Sequence, residues 1–139
     1  MSFLSSMDIS ASGMTAQRLR LDVASENIAN METTRTESGG SYKRKTVILE
    51  SAESGSFRKA LQKAAGVVAT AVADEEAGFE PVYNPDHPDA DENGYVQMPN
   101  ISLIKETVDS MSATRSYEAN ITAFNAMKTM AQKALEIGK

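Results

Sequence analysis

Cysteine and tryptophan are both absent from this chain of 139 residues. Without cysteine there is no disulfide staple, no thiolate nucleophile and no thiolate metal site, while the redox compartment stays open. Aromatic residues make up 6% of the chain against 41% hydrophobic overall, so no core can be built around large rings. Histidine occurs once, as His87 between acids and prolines. No spacing of nucleophile and base appears, and no glycine loop that would cradle a phosphate, so nothing supports an enzyme, a cofactor or a catalytic metal. Basic tracts are missing too. A net charge of -5 argues against nucleic acid or an anionic membrane as the main partner. No run approaches the ~20 apolar residues of a membrane span. The opening MSFLSSMDIS lacks the basic start and sustained apolar stretch of a cleaved signal peptide. The chain therefore reads as soluble, or as exported by a route that cleaves no signal.

What is present is a long helical pattern at each end. Between Met7 and Asn30, Met7, Met14, Leu21 and Ile28 recur every seven residues, the spacing of one helical face. Ile9, Ala16 and Val23 form a second stripe well round the cylinder. Apolar residues on several sides imply several partners. Ser5, Ser6, Asp8 and Ser10 can each cap a start between Leu4 and Ser10, and the helix would run about 40 Å. Gly13 costs roughly 1 kcal/mol against alanine; it is either a tolerated surface residue or the close approach of a neighbouring backbone. Arg18 and Asp22, four apart, can pair.

The middle is a small β region. Thr33 to Ser41 is a loop turning at Gly39-Gly40, and Tyr42 to Glu50 reads as a strand entered through Lys43-Arg44-Lys45. So few charges make a weak field, which favours a solvated strand edge over a binding patch. Residues 51–66 fit a short helix or a mobile insertion. Gly66 to Ala73 is a second strand, Asp74-Glu75-Glu76 an acidic turn, and Phe79 to Tyr83 a third strand placed on an edge by Pro81. A fourth, Tyr95 to Met98, follows Gly94. Asp89, Asp91, Asn93 and Gly94 match the first half of a calcium loop. The closing position carries Asn100 where a bidentate Glu is required, and Pro81, Pro85 and Pro88 bar an incoming helix. The stretch reads as an acidic turn that binds no metal.

After Pro99, Asn100 or Ser102 can cap a last helix running to about Ile137, where Gly138 can end it. Ile101, Ile104, Val108 and Met111 mark one stripe. Tyr117, Ile121, Phe124, Ala131 and Leu135 mark another in a shifted register, widened by Met127, Met130 and Ala134. The expected fold is α+β and mainly α, a single unit over residues 1–139. Its N-terminal helix occupies 1–32, a loop and small β region 33–99, and its C-terminal helix 100–139, with the two helices paired antiparallel. Such a pair leaves apolar surface uncovered, which marks an interaction surface. Self-association is the stronger reading. Head-to-tail contacts that do not close would build a helical filament.

Specific motifs sharpen this. Ser12 to Gln17 (SGMTAQ) with Ala24 to Asn30 (ASENIAN) resembles the N-terminal signature of flagellar rod and hook proteins. Met111 to Asn120 (MSATRSYEAN) resembles their C-terminal helix, and Val82 to Asn100 is similar to the proximal-rod branch in particular. Ser51 to Gly78 is the part the resemblance covers least, and Met31-Glu32 departs from the smaller residues usual there. The resemblance implies a structural subunit of the bacterial flagellar basal body, polymerising through its terminal helices into a hollow periplasmic shaft that transmits torque. It implies copies of the same chain, other rod proteins, and the MS ring and export apparatus at the base as partners, and type III export without a cleaved signal. Stripes and resemblance together give Met7, Met14, Leu21, Ile28, Val23, Asn27, Asn30, Val108, Met111, Arg115, Tyr117, Asn120, Ile121 and Phe124 as subunit-packing candidates. The competing class is a soluble helical adaptor that seats its helix in a partner's groove.

Overall fold

A computed structural model describes residues 3–37, 39–52, 66–73 and 78–137. Helix α1 runs Phe3–Ala29, strand β1 Lys45–Ser51, β2 Val67–Ala73, β3 Phe79–Tyr83, β4 Tyr95–Pro99, and helix α2 Leu103–Ile137. The strands form two separate antiparallel hairpins, β1 with β2 and β3 with β4. Lys45 faces Ala73 and Ser51 faces Val67 in the first; Phe79 faces Pro99 and Tyr83 faces Tyr95 in the second. The tyrosine rings of that last pair meet edge-on with centroids 5.4 Å apart. Pro81 sits on an edge as expected, since every strand of a two-stranded sheet is one.

Local chemistry sets the helix ends. Asn30 stops α1: its Nδ2 donates to the Glu26 carbonyl at 2.9 Å, and its Oδ1 accepts from Thr33 Oγ1 at 3.1 Å. Helix α2 starts after Pro99, and Ser102 Oγ accepts from the Lys105 amide at 3.5 Å. Between them Gly39 and Gly40 take φ of 85° and 78°, a left-handed turn that residues with a Cβ rarely adopt. Tyr42 falls outside β1 because its amide bonds the Thr33 carbonyl at 3.0 Å, tying it to the loop and not to β2.

The helices pair antiparallel in one fixed register. Asn27 meets Glu106, and fourteen residues away on each helix the Asn120 side chain covers Gly13. A Cβ on Gly13 would lie 3.1 Å from the Asn120 amide, so the close approach here is by a side chain, not a backbone. Small residues fill the seam: Ala16, Val23 and Ala24 from α1 and Ala113 from α2 are all buried. Small seams let helix axes come close, and the fit of side chains then holds them. The expected Arg18–Asp22 pair does not form; both residues are exposed, where such a pair gains little over water.

Helix α1 also lies across one face of the first hairpin. Asn27 bonds Lys45 at the start of β1, and Ser12 Oγ accepts from the Val67 amide at the start of β2. The expectations for 53–65, for Asp74-Glu75-Glu76 and for Gly138 lie outside the described residues.

Candidate assembly surface

The polar centre of the molecule is a buried clasp joining both helices to the entry of β1. Asn27, 1% exposed, uses its whole amide. Its Nδ2 donates to the Lys45 carbonyl at 2.9 Å and to Glu106 Oε2 at 3.1 Å. Its Oδ1 accepts from the Lys45 amide at 2.9 Å and from the Tyr42 hydroxyl at 3.0 Å. Glu106, equally buried, takes Arg44 Nε at 2.8 Å on its other oxygen. Burial, with the nearby Glu26 and Glu106 carboxylates, pushes the Tyr42 phenol up to about 12, so it stays a neutral donor. No buried side-chain polar atom among the described residues is left without a partner. The clasp holds the fold in one register; breaking one member of a buried charge pair is costly, because it strands the other.

Reading Lys43-Arg44-Lys45 as a solvated edge missed this. Arg44 is mostly buried against Glu106, and Lys45 pairs with Glu26. One signal was available. Glu106, Ala113 and Asn120 recur every seven residues, a stripe of small and polar residues that faces α1.

The apolar stripes of α2 therefore stay outside. Ile104 is 78% exposed, Val108 58% and Met111 53%. Arg115 lies beside them, exposed and without a partner among the described residues. Ile121 is exposed, while Tyr117 and Phe124 are half-buried, as are Met7, Met14, Leu21 and Ile28 on α1. Val23, Asn27 and Asn120 instead serve the seam inside one chain, and Asn30 the helix end. Past Met130, α2 runs on to Ile137 with no described α1 residue opposite, leaving Leu135 and Ile137 open. Surface of this extent on two sides of a helix pair fits contact with other chains.

The acidic turn is spent on the protein itself. Asp89 accepts from Thr34 Oγ1 at 2.8 Å and pairs with Arg35. The Thr34 hydroxyl first, and then Arg35, hold its carboxyl below the usual range against some desolvation. Asp91 Oδ1 takes the amides of Asn93 and Tyr95, both at 2.9 Å. With Ser41 bonded to the Gln97 carbonyl, the Asp89 contacts fasten the 33–41 loop to the second hairpin. Among the described residues no group of three His, Asp or Glu is placed to hold a metal.

Known proteins match this chain along its whole length. The family profile described as flagella basal body rod protein matches residues 7–35, and that described as flagellar basal body rod FlgEFG protein C-terminal matches 92–137. The chain is 47% identical to the flagellar basal-body rod protein FlgC of Bacillus subtilis, over 96% of this chain and 97% of that one. It is 39% identical to the protein of the same name from Borreliella burgdorferi, over 99% and 98%. The Salmonella typhimurium protein of that name is 39% identical over the full length of both.

Proposed function

The chain belongs to the FlgC family of flagellar basal-body rod proteins, and from that premise we propose that it polymerises through its terminal helices into the wall of a hollow helical shaft. It is a structural subunit of the rod, not an enzyme, and it assembles with other rod components in the basal body. On this reading it is a proximal-rod subunit acting as one unit over residues 1–139. Its neighbours are copies of itself, other rod proteins, and the MS ring and export apparatus at the base. It reaches the periplasm through type III export with no cleaved signal, and the finished shaft carries torque and passes exported subunits.

One observation supports the assembly step most directly: the strongest apolar stripe of α2, Ile104, Val108 and Met111, lies outside its own helix pair. Burying such side chains is worth roughly 1.5–3 kcal/mol each, and a helical lattice repeats the gain in every subunit. Val108→Asp tests it. The purified variant should keep the thermal unfolding of the parent chain, since Val108 is outside the seam, yet be lost from isolated basal bodies and abolish swimming. Export is checked in the culture medium. Normal motility with normal rods would overturn the role of that stripe.

A further inference from the structure

A strand edge is a template for another strand, and soluble proteins block theirs with proline, charge or covering loops. The two hairpins differ in this respect. On β3 the edge is interrupted by Pro81, which has no amide proton, and on β4 Ser41 and the Asp91 amide occupy the outward carbonyls of Gln97 and Tyr95. In the first hairpin the odd-numbered residues turn their N–H and C=O outward, as the bonds from Asn27 to Lys45 and from Val67 to Ser12 show. Helix α1 crosses that hairpin diagonally and blocks one corner of each edge. Between the corners, Val47 and Leu49 on β1 and Ala69 and Ala71 on β2 have no outward backbone partner among the described residues. Among the described residues the usual protections are missing on β2. Strand β2, VVATAVA, has no charge, proline or glycine, and the outer face beside it exposes Ile48, Val68 and Val72.

We propose that this hairpin is a strand-addition surface, on which β2 of one copy pairs antiparallel with β1 of a second copy. The inference rests on the reading that copies of the chain meet in the rod. A strand that covers β2 must offer outward amides and carbonyls at two alternate residues with no obstruction. Among the described strands only β1 and β2 do so, since β3 and β4 are interrupted. β2 against β2 would be a symmetric contact that closes at two copies, whereas β1 against β2 can repeat along a rod. β1 and β2 are opposite edges of one hairpin, so a chain cannot pair them with each other twice. A copy displaced sideways across the sheet does bring its β1 antiparallel to β2. The seam is head-to-tail and therefore propagates. Ala69 and Ala71 would lie beside the larger Val47 and Leu49 on the helix-facing side, while Ile48, Val68 and Val72 would form one continuous outer face.

Because the native chain has no cysteine, single cysteines report the seam cleanly. Cells would carry Ile48→Cys together with Val68→Cys, Thr70→Cys or Val72→Cys on a second copy of the chain, and isolated basal bodies would be oxidised. Facing residues on paired strands fall within disulfide reach, so one of the three pairs should give a linked dimer, and no single variant alone should. Ala71→Pro complements this: it removes an outward N–H without touching a bond inside the hairpin, so rods should be lost while the purified variant keeps its fold. Motile cells whose rods contain the chain but give no dimer from any pair would overturn the strand seam and leave the rod reading intact. A dimer from Ile48→Cys alone would also overturn it, because that contact is symmetric. Basal bodies that lack the native chain altogether would overturn the rod reading itself, and the seam with it.

Discussion

Asn27 has no spare hydrogen-bonding capacity: two donors and two acceptors meet four partners on three segments. Asn27→Leu keeps the branched shape, with bulkier methyls, and orphans the Lys45 backbone, the Tyr42 hydroxyl and one Glu106 oxygen. Leaving buried groups unpaired costs about 1–3 kcal/mol each, so a loss of about 3 kcal/mol or more is expected in urea unfolding of the purified chain. Tyr42 gives a pH signature. Its folded value of about 12 lies above the ordinary 10.0, so the unfolded chain releases the proton first. Its contribution is complete below pH 10 and is lost as the pH rises from 10 to 12, at about 1.4 kcal/mol per unit. Melting temperatures measured between pH 8 and 12 should fall more steeply for the native chain than for Tyr42→Phe. At this scale the sequence was least legible. Asn27 stood out only as part of a resemblance, and Arg44 and Glu106 are 62 positions apart, so nothing local announced their meeting.

At the scale of elements the two helices and four strands were readable, because period is a local signal. Capping served only α2, since α1 runs from Phe3 and the expected caps Ser5, Ser6, Asp8 and Ser10 lie inside it. Helix α2 starts one residue after its Ser102 cap, and β3 occupies the expected residues. The choice of seam was harder to read. Apolar periodicity picks out what prefers to leave water, not which partner it leaves water with, and the self-seam is the small, polar stripe through Glu106, Ala113 and Asn120. That division predicts two different truncations. Residues 131–137 are helix with no described α1 residue opposite, so on removal of 131–139 the melting temperature should stay within a few degrees while incorporation into rods fails. Removing everything after Met111 strips Ala113 and Asn120 from the seam. Isolated helices are marginal in water, so circular dichroism should then show loss of α1 as well.

For the whole molecule, most of the large apolar side chains among the described residues are exposed or half-buried, which suits a chain that works in company. Light scattering on the purified protein should show size rising with concentration. It should rise further on warming from about 5 to 25 °C, because apolar association strengthens with temperature there. A size fixed at one chain across both series would contradict an apolar lattice and favour a discrete adaptor.

The clasp has a mechanical consequence. Two helices faced with alanine are smooth rods: their ridges are shallow, and sliding one past the other by a turn, about 5.4 Å, meets little steric resistance. A shaft built from such pairs would creep under axial or twisting load. The Asn27–Glu106–Arg44 contact acts as a key in a slot. A slip of one turn withdraws a carboxylate from its guanidinium and an amide from four partners inside a dry seam, with no equivalent set one turn away. Stiffness against shear would then reside in one polar pin, and smoothness elsewhere would let the helices approach closely enough for that pin to seat.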